Sequence, residues 1–206
     1  PLHFWLPASY HRPSPAVSAL FAGLLTKVGV YAMIRVLGPV VPVGPWLART
    51  LLVLAIATMI VGVLGAVGQR QVRRVLGFHI VSQIGYMALG LALWSPAAIA
   101  GGLFYMWHNI AAKTNLFLTG GVAARLAGSA RLAEMGGLWS ARPWFSLLFL
   151  VSALSMAGMP PFSGFWAKFF LVRESFAGGY RLEASLALAV GLLTLCSMTK
   201  IWTEAL

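Results

Sequence analysis

The sequence predicts an all-α integral membrane protein, a polytopic helix bundle. Three observations carry that prediction. Of the 206 residues, 60% are hydrophobic and only 9% are charged, against about 25% charged in soluble domains, so this much apolar surface cannot be hidden in one globular core. The apolar runs last about 20 residues, the length at which a helix crosses the hydrocarbon layer, and they do not alternate as barrel strands do. In lipid every backbone polar group must be satisfied within the protein, which leaves helices once a barrel is excluded.

Six spans follow along one transmembrane unit, residues 1–206. The first runs over 14–37 and opens with "RPSPAVS", where proline suits the first helical turn because its missing N–H is not needed there. The second, third and fourth run over 46–68, 73–94 and 97–123. The linker "RLAGSARLAEMGGLWSARP" comes next; Arg131, Glu134 and Trp139 mark it as an interfacial segment. The fifth span, 144–176, contains "GMPPFSG". Pro160 and Pro161 lack an N–H and clash with the preceding turn, so the helix breaks over 158–164, flanked by Gly158 and Gly164. The sixth runs over 182–206. The chain opens on Pro1 without a charged leader and is read as an internal stretch of a longer polytopic protein.

The formal net charge is +11. No soluble basic face exists to hold nucleic acid, and the positive-inside rule accounts for loop arginines that anchor helix ends. Seven of them (Arg12, Arg70, Arg73, Arg74, Arg125, Arg131 and Arg142) fall on one side and four (Arg35, Arg49, Arg173 and Arg181) on the other, which assigns the first side to the cytoplasm. The single cysteine, Cys196, gives neither a disulfide nor a metal-ligand pair.

The eleven arginines and four lysines are segregated. Every arginine falls at or near a span end. Lys27, Lys113 and Lys168 fall inside spans, where a charged side chain costs about 2.5–3.5 kcal/mol on insertion scales. Lys27 is thirteen residues past Ser14, about 20 Å along a helix, which is too deep for easy snorkelling. Arginine keeps its proton in a protein whereas lysine can exchange it, so a row of mid-membrane lysines suits proton transfer. A structural lysine, paired or snorkelling, is the plainer alternative for each taken alone; three in three different spans favour function.

Polar neighbours accompany the row. In "FYMWHNIAAKTNLF", Tyr105, Asn109 and Lys113 share one helical face with His108 beside it. His79, Ser82, Gln83 and Tyr86 form a stripe at i, i+3, i+4 and i+7 on an otherwise apolar helix, and such a stripe faces protein or water rather than lipid. His79 and His108 are candidate relay groups because histidine titrates near neutrality. Lys168 lies one turn past Gly164, where the positive end of the new helix disfavours an ammonium. Broken helices mark ion sites in transporters. There is no aspartate, and Glu134, Glu174, Glu183 and Glu204 all lie away from mid-span. The chain is therefore fit for protons and poor as a Na⁺ site. It offers no phosphate loop, nucleophile–base pair, metal site or cofactor ligand set.

Four blocks, "PLHFWLPASYHRPSPAVSALFAGLLTKVGVYAMIRV", "QVRRVLGFHIVSQIGYMALGL", "HNIAAKTNLFLTGG" and "LSMAGMPPFSGFWAKFFLVR", closely resemble the proton-translocating antiporter-like family. That family comprises the large membrane subunits of respiratory complex I, membrane hydrogenase subunits and Mrp-type cation/proton antiporters. Within it, "LLTKVGVYAMIRV" and "LTLCSMTKIWTEA" most resemble the D-type branch of Mrp-type Na⁺/H⁺ antiporter subunits. The resemblance implies a fourteen-helix core of two inverted repeats, each with one broken helix, of which this chain is a fragment running from the end of the first broken helix to the thirteenth helix. It implies a hydrophilic axis in which Lys27 matches the lysine of the eighth helix, Lys113 that of the eleventh, and Lys168 the lysine or glutamate of the second broken helix. Gln83 and Asn109 stand where relatives carry histidines, and His108 is the neighbour that can substitute. The family's glutamate–lysine pair lies upstream of Pro1.

Three functions compete. The first is a proton-conducting subunit of a multi-subunit Na⁺ (or K⁺)/H⁺ antiporter in a prokaryotic cell membrane, with other membrane subunits as partners. The second is a non-redox, proton-pumping subunit of NADH-quinone oxidoreductase or a membrane-bound hydrogenase. The third, a permease for organic anions, wants a paired arginine at mid-depth and finds none. In each the chain performs no bond chemistry and binds no nucleic acid.

Overall fold

The structure, a computed structural model, describes residues 5–10, 12–37 and 40–205. Its helices are α1 (Trp5–Tyr10), α2 (Pro15–Leu20), a π-helical turn (Phe21–Leu25), α3 (Thr26–Val36), α4 (Pro45–Val67), α5 (Val72–Ala92), α6 (Pro96–Leu126), the short α7 (Leu138–Ala141), α8 (Pro143–Ala157), α9 (Ser163–Ala177) and α10 (Arg181–Ala205). The π turn joins α2 and α3 into one 22-residue helix, Pro15–Val36. That helix, α4, α5 and α10 are long and apolar enough to cross a bilayer.

The helix starts follow local chemistry. Proline occupies the first turn of α2, α4, α6 and α8. The Ser14 and Ser95 hydroxyls cap α2 and α6 by accepting from the backbone N–H groups of Val17 and Ala98 at 3.4 and 3.0 Å, which satisfies donors that have no helical partner. At the other extreme, Gly158 ends α8 with φ +92°, a conformation that a side chain disfavours.

α5 is the central helix, buried on almost every face, its stripe of His79, Ser82, Gln83 and Tyr86 included. α4 packs on it through small residues: a Cβ on Gly62 would meet the Ser82 Cα at 2.7 Å, and one on Gly85 the Ala55 carbonyl oxygen at 2.8 Å. Small residues let helix backbones approach in a membrane, where burying apolar surface gives little drive. The outer helices turn Val53, Leu64, Leu188 and Leu192 outward. Two apolar clusters fill the interior. One gathers Leu6, Tyr10, Val75, Leu76, Ile80, Leu116 and Phe149. The other gathers Val30, Leu52, Met59, Met87, Leu89, Leu171 and Val190. In α5 and α6, Ser82, Gln83, His108 and Asn109 lie in sequence between the parts that feed the two clusters.

The linker read as interfacial is anchored in the core. Leu132, Met135 and Leu138 are buried, while Trp139 stays half exposed with its ring 5.3 Å from that of Trp202.

α8 and α9, of 15 residues each, reach about 22 Å apiece, short of the ~30 Å hydrocarbon layer, so together they make one broken element. The break is held by close contact. A Cβ on Gly164 would overlap the Ser155 carbonyl oxygen and sit 2.9 Å from His108 Nε2. A backbone clash has no rotamer solution, and overpacking costs about 1–3 kcal/mol or more. Gly164→Ala is therefore expected to lower the apparent melting temperature and the membrane yield of the full-length protein. Gly29→Ala, whose Cβ meets nothing within 4 Å, is the control. Equal melting of the two variants contradicts this packing.

Candidate functional site

Lys27 is the second residue after the π turn. In that turn the helical ladder widens from i+4 to i+5, and the Lys27 ammonium donates to the carbonyl of Ala22 five residues back. The residue is 4% exposed. The same turn presses on α6: a Cβ on Gly23 would collide with Thr114 Oγ1, next in sequence to Lys113. The missing side chain at Gly23 thus brings the first lysine's helix against the second's.

Lys113 is fully buried, and its Nζ donates to the Leu76 carbonyl on α5 at 3.2 Å. Lys168 reaches back across the break. Its Nζ donates to the carbonyls of Met156 and Ala157 at 3.0 and 2.8 Å and stands 5.1 Å from the centre of the Tyr86 ring, within cation–π range. Those carbonyls belong to the last turn of α8, which has no helical donors left for them. Here the structure amends the sequence reading. Lys168 does sit near the positive start of α9, but its ammonium lies against the negative end of α8, because the chain reversal at Gly158 brings that end alongside. A Cβ on Gly158 would meet Lys168 Cδ at 2.9 Å.

The histidines take up different partners from those the sequence suggests. His79 is fully buried, with Nε2 bonded to Ser197 Oγ on α10. The Ser197 hydroxyl itself donates to the Thr194 carbonyl at 3.0 Å, which leaves its oxygen to accept from Nε2–H and leaves His79 Nδ1 as the bare acceptor. His108 Nδ1 lies 2.9 Å from Ser163 Oγ at the start of α9. Neither histidine is hydrogen-bonded to Lys113. The expected coupling within one turn of α6 is therefore not a direct bond, since His108 faces α9 while Lys113 faces α5.

Three of the supporting groups bond within the set and one bonds α10. Tyr105 Oη donates to Gln83 Oε1. Tyr86 Oη donates to the Ala187 carbonyl at 2.5 Å. Asn109 Nδ2 turns back to the Tyr105 carbonyl at 3.0 Å.

The lysines stand close enough for their charges to interact. Lys27 and Lys168 both act electrostatically on Lys113, and Lys113 and Lys168 act on both histidines. Nothing anionic offsets them among the described residues. Glu134 and Glu174 bond Ser129 and Ser95, away from the row. All three ammonium groups are held by carbonyl dipoles. A cavity of about 460 Å³ between the break and α10, lined by Tyr86, Gly158, Pro160, Phe165, Gly191 and Leu195, reaches Lys168.

Residues 1–198 match the family described as NADH:quinone oxidoreductase/Mrp antiporter, TM. The chain belongs to that family. It is 48% identical over its whole length to the D-type subunit of a Na(+)/H(+) antiporter from Alkalihalophilus pseudofirmus, of which it covers 42%. It superposes with a TM-score of 0.91, at 40% identity, on all of its length and 38% of a chain in the Mrp complex from a Dietzia species. It also superposes with a TM-score of 0.90, at 27% identity, on 99% of its length and 44% of a chain of respiratory complex I from Thermus thermophilus. It thus spans less than half the length of these relatives.

In this NADH:quinone oxidoreductase/Mrp family member, two polar partners of the row, Ser163 and Ser197, were not singled out from sequence. Ser163 lies inside the break motif and Ser197 in an apolar helix. The only available signal was periodicity: Thr194 and Ser197 lie three apart on the buried face of α10.

Proposed function

We propose that the full-length protein is the proton-conducting membrane subunit, of the D type, of a multi-subunit Na⁺/H⁺ antiporter in a prokaryotic cell membrane. Protons pass along Lys27, Lys113 and Lys168, with His79 and His108 as intermediate carriers. Gln83, Tyr86, Tyr105 and Asn109 orient the hydrogen-bonded groups between them, and the break at Gly158, Pro160, Pro161 and Gly164 positions Lys168. One observation carries this reading: three lysines in three different helices, none more than 8% exposed, hold their ammonium groups against carbonyl oxygens with no carboxylate beside them. A carbonyl orients a proton donor but takes no proton from it, so a lysine held this way can discharge to the next base. Arginine at the same place would keep its charge. The unpartnered ring nitrogens His79 Nδ1 and His108 Nε2 and the polar atoms Ser82 Oγ, Gln83 Nε2 and Asn109 Oδ1, all buried and without a partner among the described residues, are suited to bridging water.

The lack of a mid-span carboxylate among the described residues supports a Na⁺ path that runs through other subunits. Full-length protein expressed alone is therefore expected to leave an antiporter-deficient cell salt-sensitive, while co-expression with its partner membrane subunits restores growth. Full rescue by the single chain overturns the division of labour.

The superposition on a complex I chain favours a second reading, a proton-pumping subunit driven by redox chemistry elsewhere in the complex. Exchange of H⁺ for Na⁺ in vesicles without an electron donor supports the antiporter. Transport that starts only on adding a donor supports the pump.

A further inference from the structure

The end of the bundle that carries most of the arginines holds a second arrangement, remote from the lysine row. A cavity of about 680 Å³ lies between the α4–α5 turn, the connector after α6 and the last turns of α10. Arg70, Arg74, Arg131 and Lys200 line it, against Glu134 and Glu204.

Its walls come from three segments remote in sequence, and backbone bonds hold them together. The Leu132 N–H donates to the Arg70 carbonyl at 3.0 Å and the Val72 N–H to the Ala130 carbonyl at 3.3 Å, so Gln71 and Arg131 pair as an isolated antiparallel bridge. Leu132, 1% exposed, roots the connector in the core. Lys200 Nζ donates to the Gln69 carbonyl at 3.3 Å and ties α10 to the same turn.

The charges inside do not cancel. Glu134 accepts from Ser129 Oγ at 2.5 Å and Arg131 Nη1 at 3.0 Å. The hydroxyl first and the guanidinium second hold its carboxyl below the usual carboxylate range, so it is ionised and already engaged. Neither Arg70 nor Arg74 has an ion pair among the described residues, and Glu204 alone remains to face them and Lys200. α5 also begins here. Its N-cap residue, Gln71, supplies no side-chain cap, so the positive end of a 21-residue helix adds to the same field. At the opposite end of the bundle, by contrast, Arg49 lines a cavity with Trp46, Thr50, Val53 and Leu54 and no second cation.

We propose that this cavity binds a phosphate-bearing anion, supplied either by an acidic lipid headgroup or by free phosphate. Guanidinium groups present paired donors that match phosphate oxygens. The site lies where α4 and α10 end, which is the headgroup level of a bilayer, and basic pockets between transmembrane helices at that level take anionic headgroups.

The test uses the assembled complex in detergent and follows binding by native mass spectrometry. The probes are short-chain phosphatidylglycerol, short-chain phosphatidylcholine and inorganic phosphate. Saturable binding of phosphatidylglycerol is expected, with none of phosphatidylcholine. In Arg70→Gln/Arg74→Gln that binding weakens roughly 30-fold, at about 1 kcal/mol per lost cation. Arg70→Lys/Arg74→Lys keeps most of it. Competition by inorganic phosphate at equal concentration identifies the free anion as the ligand, and its failure to compete identifies the lipid headgroup. If the glutamine pair does not assemble, Lys200→Gln alone, weakened about fivefold, carries the same test. Undiminished phosphatidylglycerol binding in these variants, or binding of neither phosphate probe by the parent complex, overturns the proposal.

Discussion

Lys113→Ala is expected to abolish proton-coupled exchange while the complex still assembles, and Lys113→Arg is expected to fail as well. The alanine change removes the central member of the row, the one on which both Lys27 and Lys168 act. A positioned proton-transfer group contributes roughly 100-fold or more to rate, which is the loss the proposed relay predicts. The arginine change keeps the positive charge. It also keeps a donor for the Leu76 carbonyl, which Lys113 Nζ approaches at 3.2 Å, so assembly and local hydrogen bonding are preserved. What it loses is the ability to release the proton. The pair of variants therefore separates a fixed charge from a carrier. The measurement is pH-gradient-driven Na⁺/H⁺ exchange in inverted vesicles, alongside a native gel for assembly. Normal exchange by Lys113→Arg makes Lys113 a structural charge and removes the relay.

The parts of this arrangement differ in how far the sequence reveals them. The break between α8 and α9 is legible because its cause is local: two adjacent prolines cannot continue a helix, and the glycines beside them mark where chains cross. The burial of Lys27, Lys113 and Lys168 is legible for a similar reason, since a lysine many residues from either end of an apolar run has nowhere wet to go. The partners are not. His79 bonds to Ser197, 118 residues away, and His108 to Ser163, 55 residues away. A serine in an apolar helix looks the same in sequence whether it packs or donates. The orientation of the Lys168 ammonium was hidden too. Helix polarity is read along one helix, and the carbonyls that hold this ammonium belong to the helix on the other side of the break.

The π turn at Phe21–Leu25 is the feature least visible in "LFAGLLTK". No proline or glycine pair announces it. Its setting explains it once seen: Gly23 lets the backbone close on Thr114, and the widened turn puts the Ala22 carbonyl within reach of Lys27. Insertions of this kind gather at functional positions in helices. Here the turn holds a buried ammonium on its own helix while bringing that helix against the one that carries Lys113.

Lys27→Met follows from the same geometry and is expected to separate folding from transport. Methionine has a similar length and no charge, so it removes the cost of burying an ammonium that carbonyl dipoles alone offset. The Ala22 carbonyl loses the side-chain donor. Gly23 and Thr114, which set the approach of the two helices, are untouched. Assembly and melting temperature should therefore equal or exceed those of the parent protein. Exchange should nevertheless fall roughly 100-fold or more if, as proposed, Lys27 passes its proton to Lys113. Two ammonium groups side by side in a low-dielectric interior repel far more strongly than in water, so in the proposed relay a proton arriving on one would drive release from the other. The readouts are exchange in inverted vesicles and a thermal melt of the purified complex. Normal exchange with Lys27→Met makes this lysine structural. A lowered melting temperature contradicts the view that its charge is a burden on the fold, carried for transport.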